Sequence, residues 1–422
     1  MTRKVTSLLI GSFLISRGLN VWLAYRPMSY VAAYGDLRKY EQWAKILVGN
    51  QLNAYSEVSI EYPPGILPFL VATESIRFPG TDFYHTFVWV MLLLDVAGFI
   101  GVLLLHRRWR STLGAWVWIA AVPLLGPIVY LRLDLIPAVA TIWAMERASV
   151  GHWGAAGGWF GFGAVAKVYP AFLILPALEV VPRYRRFLLG LVAISALFIF
   201  PFVLSGAGSD LARDVLGYHS HRGVHVESTW GFLLLLATKF GYSMYPNFQF
   251  GANEAISGVS DILKTVGSYS SLAALIVGWR AVARYVDTGA LPLLAAGMFG
   301  LLSLLMFFGT VFSPQFVVWL IPLSAVALSH PLDRRLRWPL LSITLIAVLT
   351  HLVFPLTIDD VLAPFYVGRF ETGSDAGLIV LGVRNFMVFL AGAATLRGLR
   401  YVHAQRTSRP ALGDPRPASH GG

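Results

Sequence analysis

Asp36 and Glu61, Arg132 and Asp134, Lys167, the histidines between 219 and 225, Glu227, Ser313 and Gln315 are polar or ionisable groups in a chain that is 56% hydrophobic and 13% charged. Ionisable groups close to membrane depth are costly and usually mark a site or a pathway. Asp36 could serve as a proton acceptor, or only as the N-cap of the helix that follows it, where aspartate contributes about 1 kcal/mol. Glu61 lies in "EYPPG" (61–65), whose prolines fix an extended bend and then permit a helix start. It is either held at the interface for chemistry or simply solvated. Arg132 and Asp134 either serve a site or bridge to Lys167. Arg384, inside the last apolar run, either serves a site or pairs with Asp95. Glu227 either meets a substrate or fixes Arg222. His219, His221 and His225 with Glu227 could supply four metal ligands, but the spacing is loose and the reading adopted is no metal site. The glycine-rich stretch 154–163 follows no strand, so its glycines, Gly157 and Gly161 among them, point to close helix packing rather than a dinucleotide loop.

The elements that must carry these residues are membrane spans. Apolar runs recur along most of the 422 residues, which is the composition of an all-α polytopic membrane protein. Hydropathy predicts about twelve spans, near 6–26, 83–105, 112–131, 134–148, 153–167, 168–181, 187–205, 265–284, 290–310, 314–330, 338–356 and 376–396. The first run lacks a small-residue cleavage site and reads as a retained span. The segments 62–78 and 229–240 read as helices lying in or dipping into one interface. The basic clusters "HRRWR", "RYRR", "WRAVAR" and "DRRLRW" fall on one side together with both termini, and that side is therefore cytoplasmic. The unusual polar groups then fall on the outer side. The net charge of +11 reflects this topology and contact with lipid headgroups, not a nucleic-acid groove. With no cysteine, disulfides, thiolate metal sites and cysteine nucleophiles are excluded.

The outer loop after the first span predicts an amphipathic helix over 36–49. Leu37, Tyr40, Ala44 and Leu47 share one face beside Trp43, and Gly49-Asn50 closes it. Its aromatics are expected at headgroup level.

Asp36 and Tyr40 in "D-x-x-x-Y", followed by "EYPPG", resemble the first outer loop of the GT-C glycosyltransferases. The nearest match is glycosyltransferase family 87, the bacterial polyprenyl-phosphate-mannose-dependent α-mannosyltransferases. "YLRLDLIPA" (130–138), "AKVYPAFLILP" (166–176), "YHSHRGVHVES" (218–228), "SPQFVVWLIPL" (313–323) and "VRNF" (383–386) resemble its later motifs in the same order. The resemblance, over about residues 15 to 390, implies a single GT-C-like domain over 1–400 with outer-face loops at 27–82 and 206–264; the basic tail at 401–422, with Pro and Gly, has no counterpart in it and is expected from its composition to be disordered and cytoplasmic. The resemblance also implies inverting transfer of a hexose, mannose first, from a polyprenyl-phosphate donor to a hydroxyl of a cell-envelope glycolipid or glycan on the outer face of a bacterial cell membrane. No further cofactor is expected. One carboxylate suffices as base, because phosphate leaves as an anion. Asp36 matches the family's base position. Candidates to hold the leaving phosphate are Arg132, Lys167, His219, Arg222, His351 and Arg384. Tyr40, Glu61, Tyr62, Asp134, Glu227 and Gln315 complete the substrate-binding set. The alternative is a lipid or sugar transporter or flippase, which should place polar groups near midplane in repeated halves. No such repeat is present in the sequence.

Overall fold

The computed structural model describes residues 3–26, 31–49, 54–77, 80–369 and 372–408, with backbone alone at 3, 31–34, 54, 57, 219 and 220. The chain opens with α1 (Arg3–Ala24), then α2 (Val31–Gly49), α3 (Ala54–Glu57) and α4 (Leu67–Ser75). A run of antiparallel helices follows: α5 (Phe83–Trp109), α6 (Leu113–Leu125), α7 (Leu135–Ser149), α8 (Trp153–Ala166), the broken pair α9 (Tyr169–Phe172) and α10 (Ile174–Val180), and α11 (Tyr184–Leu204). The connection to the second half holds α12 (Gly208–Ala212), α13 (Tyr218–His221), α14 (Thr229–Thr238) and a hairpin of β1 (Tyr245–Gln249) with β2 (Ala252–Ile256). The hairpin is antiparallel, and Gln249 pairs with Ala252, so only Phe250 and Gly251 form its turn. It is a small departure from the all-α expectation. The remaining helices are α15 (Ser260–Tyr285), α16 (Leu291–Phe308), α17 (Val317–Leu328), α18 (Arg334–Leu341), α19 (Ile343–His351), α20 (Ile358–Tyr366) and α21 (Asp375–Thr407).

Seven helical segments among the described residues are long and apolar enough to cross a membrane. The other predicted spans are shorter helices, and those over 168–181 expose Phe172 and Leu175. α7 and α17 are buried on nearly every side, as is the longer α16, and together they form the centre of the bundle. α11 and α15 instead expose apolar side chains outward, with Leu189 and Leu204 each 71% accessible. A helix that is apolar all round yet faces outward is stable against lipid, not water. The fold is thus that of an all-α polytopic membrane protein. Glycines set the closest approach in it. A Cβ at Gly157 would lie 1.8 Å from the Phe187 carbonyl oxygen, and one at Gly161 would lie 2.5 Å from that of Leu191, so α8 and α11 pack backbone to backbone as expected.

Several expectations change. The 168–181 segment is interrupted at Leu173, and the helix expected over 338–356 is broken between α18 and α19 and again after His351, where Phe354 leaves helical geometry. The tail expected from 401 begins instead as the last turns of α21, which runs to Thr407, while 409–422 lie outside the described residues. α2 buries the predicted face, Leu37, Tyr40, Ala44 and Leu47. Its Trp43 is also buried, only 3% accessible, so Tyr40 and Trp43 pack against protein and not at headgroup level.

Candidate active site

The helix carrying Asp36 starts five residues earlier than its pattern suggested, which changes what the aspartate can do. Asp36 sits in the second turn of α2 (Val31–Gly49), so it is not an N-cap. Its Oδ2 forms an ion pair with Arg132 Nη2 at 3.1 Å, and Arg132 is almost fully buried. Burial works against the Arg132 charge, but Asp36 and its neighbours outweigh it and hold the pKa above its ordinary value. Arg132 lies in the short connection between α6 and α7. Two residues on, Asp134 accepts from Lys167 Nζ at 2.7 Å and from Trp319 Nε1 at 2.6 Å, all on Oδ1. The two cations are therefore paired with different carboxylates, and the bridge weighed between Arg132, Asp134 and Lys167 divides in two.

The "EYPPG" bend supplies the next wall. Pro63 is extended and Pro64 starts a single 3₁₀ turn leading into α4. Gly65 lets that turn press on the end of α8: a Cβ there would fall within 2.7 Å of the Val165 and Ala166 backbone. Glu61 is held by both oxygens to Lys39 Nζ at 2.9 Å. Burial raises its pKa, with Lys39 opposing. Tyr40 and Tyr62 meet hydroxyl to hydroxyl at 3.3 Å, and the Tyr62 carbonyl accepts from Tyr55. Burial raises both phenols well above their ordinary value. They are neutral hydrogen-bonding groups, not bases.

These pieces surround one cavity of about 430 Å³. Asp36, Glu61, Tyr62, Lys167, Arg222, Ser313 and Gln315 all line it. Lys167 sits among aromatic rings, 4.9 Å from the centroid of Tyr62, 5.3 Å from Trp319 and 5.7 Å from Phe316. Trp319 is itself stacked between Tyr169 and Phe316, at 4.3 and 4.0 Å. Among the described residues no carboxylate lies within ion-pair distance of Arg222, whose guanidinium is 5.4 Å from the Tyr218 ring. Away from this polar end the lining turns apolar, with Phe172, Leu216, Leu302, Leu305 and Met306. The polar lining comes from the starts of α2 and α17, the end of α8 and the connections around them. These meet at a single end of the bundle.

Other predicted residues lie elsewhere. His351 packs on Gly126 and bonds through Nδ1 to the Leu124 carbonyl at 3.2 Å, away from the cavity lining. Arg384 does not pair with Asp95. Asp95 is taken by Arg17 at 2.7 Å, with Trp118 and Tyr130 also donating to it. Arg384 instead donates to the Glu227 carbonyl at 2.8 Å and lies 3.4 Å from its carboxylate, with its guanidinium over the Phe312 ring. Glu227 therefore fixes Arg384, not Arg222. This pair stands behind the cavity wall: the His225 amide donates to the Thr310 carbonyl at 2.8 Å and its Nδ1–H to that of Phe312 at 2.9 Å. Burial, with Arg222 adding, pushes the His225 pKa down to about 3, so it is a neutral strut. His221 bonds to the Gly217 carbonyl, and the His219 side chain lies outside the described residues. Among the described residues no three His, Asp or Glu side chains are placed to share a metal ion.

Sequence reasoning missed Lys39, Tyr169, Tyr218, Phe250, Phe316 and Trp319. Tyr169, Tyr218, Phe316 and Trp319 lie inside the motifs already singled out, but an aromatic there looks like packing, and only their convergence on one cavity distinguishes them.

The fold and the site together define a polytopic membrane protein with a charged cavity at one end. No family model and no curated protein matches the chain, so the likeness to glycosyltransferase family 87 rests on its motifs. Among solved structures, the chain is similar to ArnT from Cupriavidus metallidurans in the apo state, at 15% identity and TM-score 0.48, covering 95% of this chain and 78% of that one. It is similar also to the same protein bound to undecaprenyl phosphate, at 14% identity and TM-score 0.46, covering 96% and 79%. Likeness at this level assigns no chemistry.

Proposed function

We propose that the chain is a GT-C-type membrane glycosyltransferase that moves a hexose, mannose in this reading, from a polyprenyl phosphate to a hydroxyl of a cell-envelope glycolipid or glycan on the extracytoplasmic side. The observation that carries it is the composition of the cavity around Asp36. One carboxylate, Asp36, keeps Oδ1 available while Arg132 holds Oδ2. Lys167 and Arg222 face the same space, and an apolar wall continues from them. A sugar–phosphate lipid needs these three things: a base for the incoming hydroxyl, cations for the phosphate and an apolar path for its chain.

The reaction is one displacement. The acceptor oxygen bonds to the anomeric carbon from the side opposite the phosphate, and the carbon–oxygen bond to phosphate breaks. The electron pair leaves on the phosphate oxygen, which Lys167 and Arg222 neutralise. The hydroxyl proton passes to Asp36 Oδ1 and then to solvent. Arg132 orients Asp36. Glu61 and Tyr62 are set by Lys39 and Tyr40 to meet sugar hydroxyls, and Gln315 completes that wall.

Asp36→Asn preserves size and the contact with Arg132 but removes the basicity. Transfer from labelled polyprenyl-phosphate mannose in membranes should fall about 10²–10⁴-fold with normal insertion and abundance. Wild-type-like transfer by this variant would remove Asp36 from the reaction.

A further inference from the structure

The turn of the β1–β2 hairpin is built against the usual preference. A two-residue turn of this kind requires positive φ at both central positions, and Asn-Gly is the favoured pair. Here φ is 49° at Phe250 and 70° at Gly251. Glycine accepts this freely, whereas a bulky aromatic does so only against steric resistance. The ring is held in place nonetheless. Tyr218 donates its hydroxyl to the Phe250 carbonyl, and the two rings meet edge to face at 5.5 Å.

The location of the turn gives the misfit a use. Phe250, Gly251 and Tyr218 line the same cavity as Asp36. A Cβ placed on Gly251 would lie 3.9 Å from Asp36 Oδ1 and 3.8 Å from the Tyr218 hydroxyl. The hairpin tip thus stands over the one Asp36 oxygen that Arg132 does not hold. Any hydroxyl that gives its proton to Oδ1 therefore sits close to this tip.

We propose that the hairpin tip is the acceptor subsite: Phe250 and Tyr218 bind the ring of a saccharide acceptor, and Gly251 leaves room for its reacting hydroxyl at Asp36 Oδ1. This rests on the transfer reading above and adds the place where the acceptor binds and the groups that hold it. An aromatic platform suits a pyranose, whose axial C–H groups form an apolar face while its hydroxyls project from the rim. The strain at Phe250 is retained because the favoured asparagine would turn the tip without providing a platform.

Phe250→Asn tests this with the full chain in membranes, using labelled polyprenyl-phosphate mannose as donor and a glycolipid extract of the host envelope as acceptor pool. The variant restores a favoured turn, so its unfolding temperature should not fall. The half-saturating amount of extract should rise about tenfold, the effect of one lost contact of about 1.4 kcal/mol, with that of the donor unmoved. Phe250→Tyr, which keeps the ring, should saturate like wild type. Periodate treatment of the extract, which cleaves vicinal diols, should abolish acceptance. Active wild type with unchanged acceptor saturation in Phe250→Asn, a shift in the donor instead, or full acceptance after periodate would overturn the subsite alone. A wild type that transfers nothing from this donor would overturn the transfer reading and this subsite with it.

Discussion

Residue identity and residue role part company most clearly at the two carboxylates Asp36 and Glu227. Both looked like members of one site. Asp36 opens on the cavity, whereas Glu227 is buried behind the wall beside Arg384 and Asn385. Burial pushes the Glu227 pKa up to about 7 from its ordinary 4.5, with Arg384 opposing. The folded protein therefore binds a proton that the unfolded chain releases between these values. The stability from this group is fully present below about pH 4.5 and declines as pH rises to about 7, then changes no further. Glu227→Gln has no such titration. Because glutamine resembles the protonated carboxyl, the variant should match wild type most closely near pH 4.5 and show a flatter fall in Tm between pH 4.5 and 7. Thermal unfolding in detergent across that range checks it, and parallel curves for the two proteins would refute the assignment.

At the scale of elements, position was legible where hydrophobic period or proline chemistry dictates it. The buried face of α2, the "PPG" turn into α4 and the glycine contact of α8 with α11 all follow from sequence. The start of α2 did not, because residues 31–34 continue the helix without a capping signal, and that shift removes the capping explanation of Asp36. Partners across the bundle were not legible either. Arg17 and Arg384 are both single arginines in apolar runs, and nothing local says which of them meets Asp95. One element contact controls the site directly. Gly65 presses the 3₁₀ turn onto the α8 terminus that carries Lys167, so Gly65→Ala must push Glu61 and Tyr62 away from Lys167. A cost of about 1–3 kcal/mol in stability is expected for such overpacking. Transfer activity should fall further than the loss of folded protein explains. Equal losses in abundance and activity would show that the contact only stabilises the fold.

For the whole molecule, the polar cavity lies at one end of the bundle, and the opposite end carries the basic cluster formed by Arg108 and Arg147 around Glu146. A transporter needs its binding groups reachable from both sides near midplane. A one-ended cavity with an apolar lining fits a donor that enters from the bilayer and an acceptor that arrives from one compartment. By its arginine excess the far end is expected to be cytoplasmic, and the cavity is then expected to face outward. The chain contains no cysteine, which makes sidedness directly measurable without background. Lys45 of α2 is 57% accessible at the cavity end, and Arg334 is exposed at the start of α18 at the other. With Lys45→Cys, a membrane-impermeant maleimide should label intact cells once it passes the outer envelope. With Arg334→Cys it should label only after lysis. The reverse pattern would put Asp36 in the cytosol, out of reach of envelope acceptors, and would end the proposed transfer on the outer face.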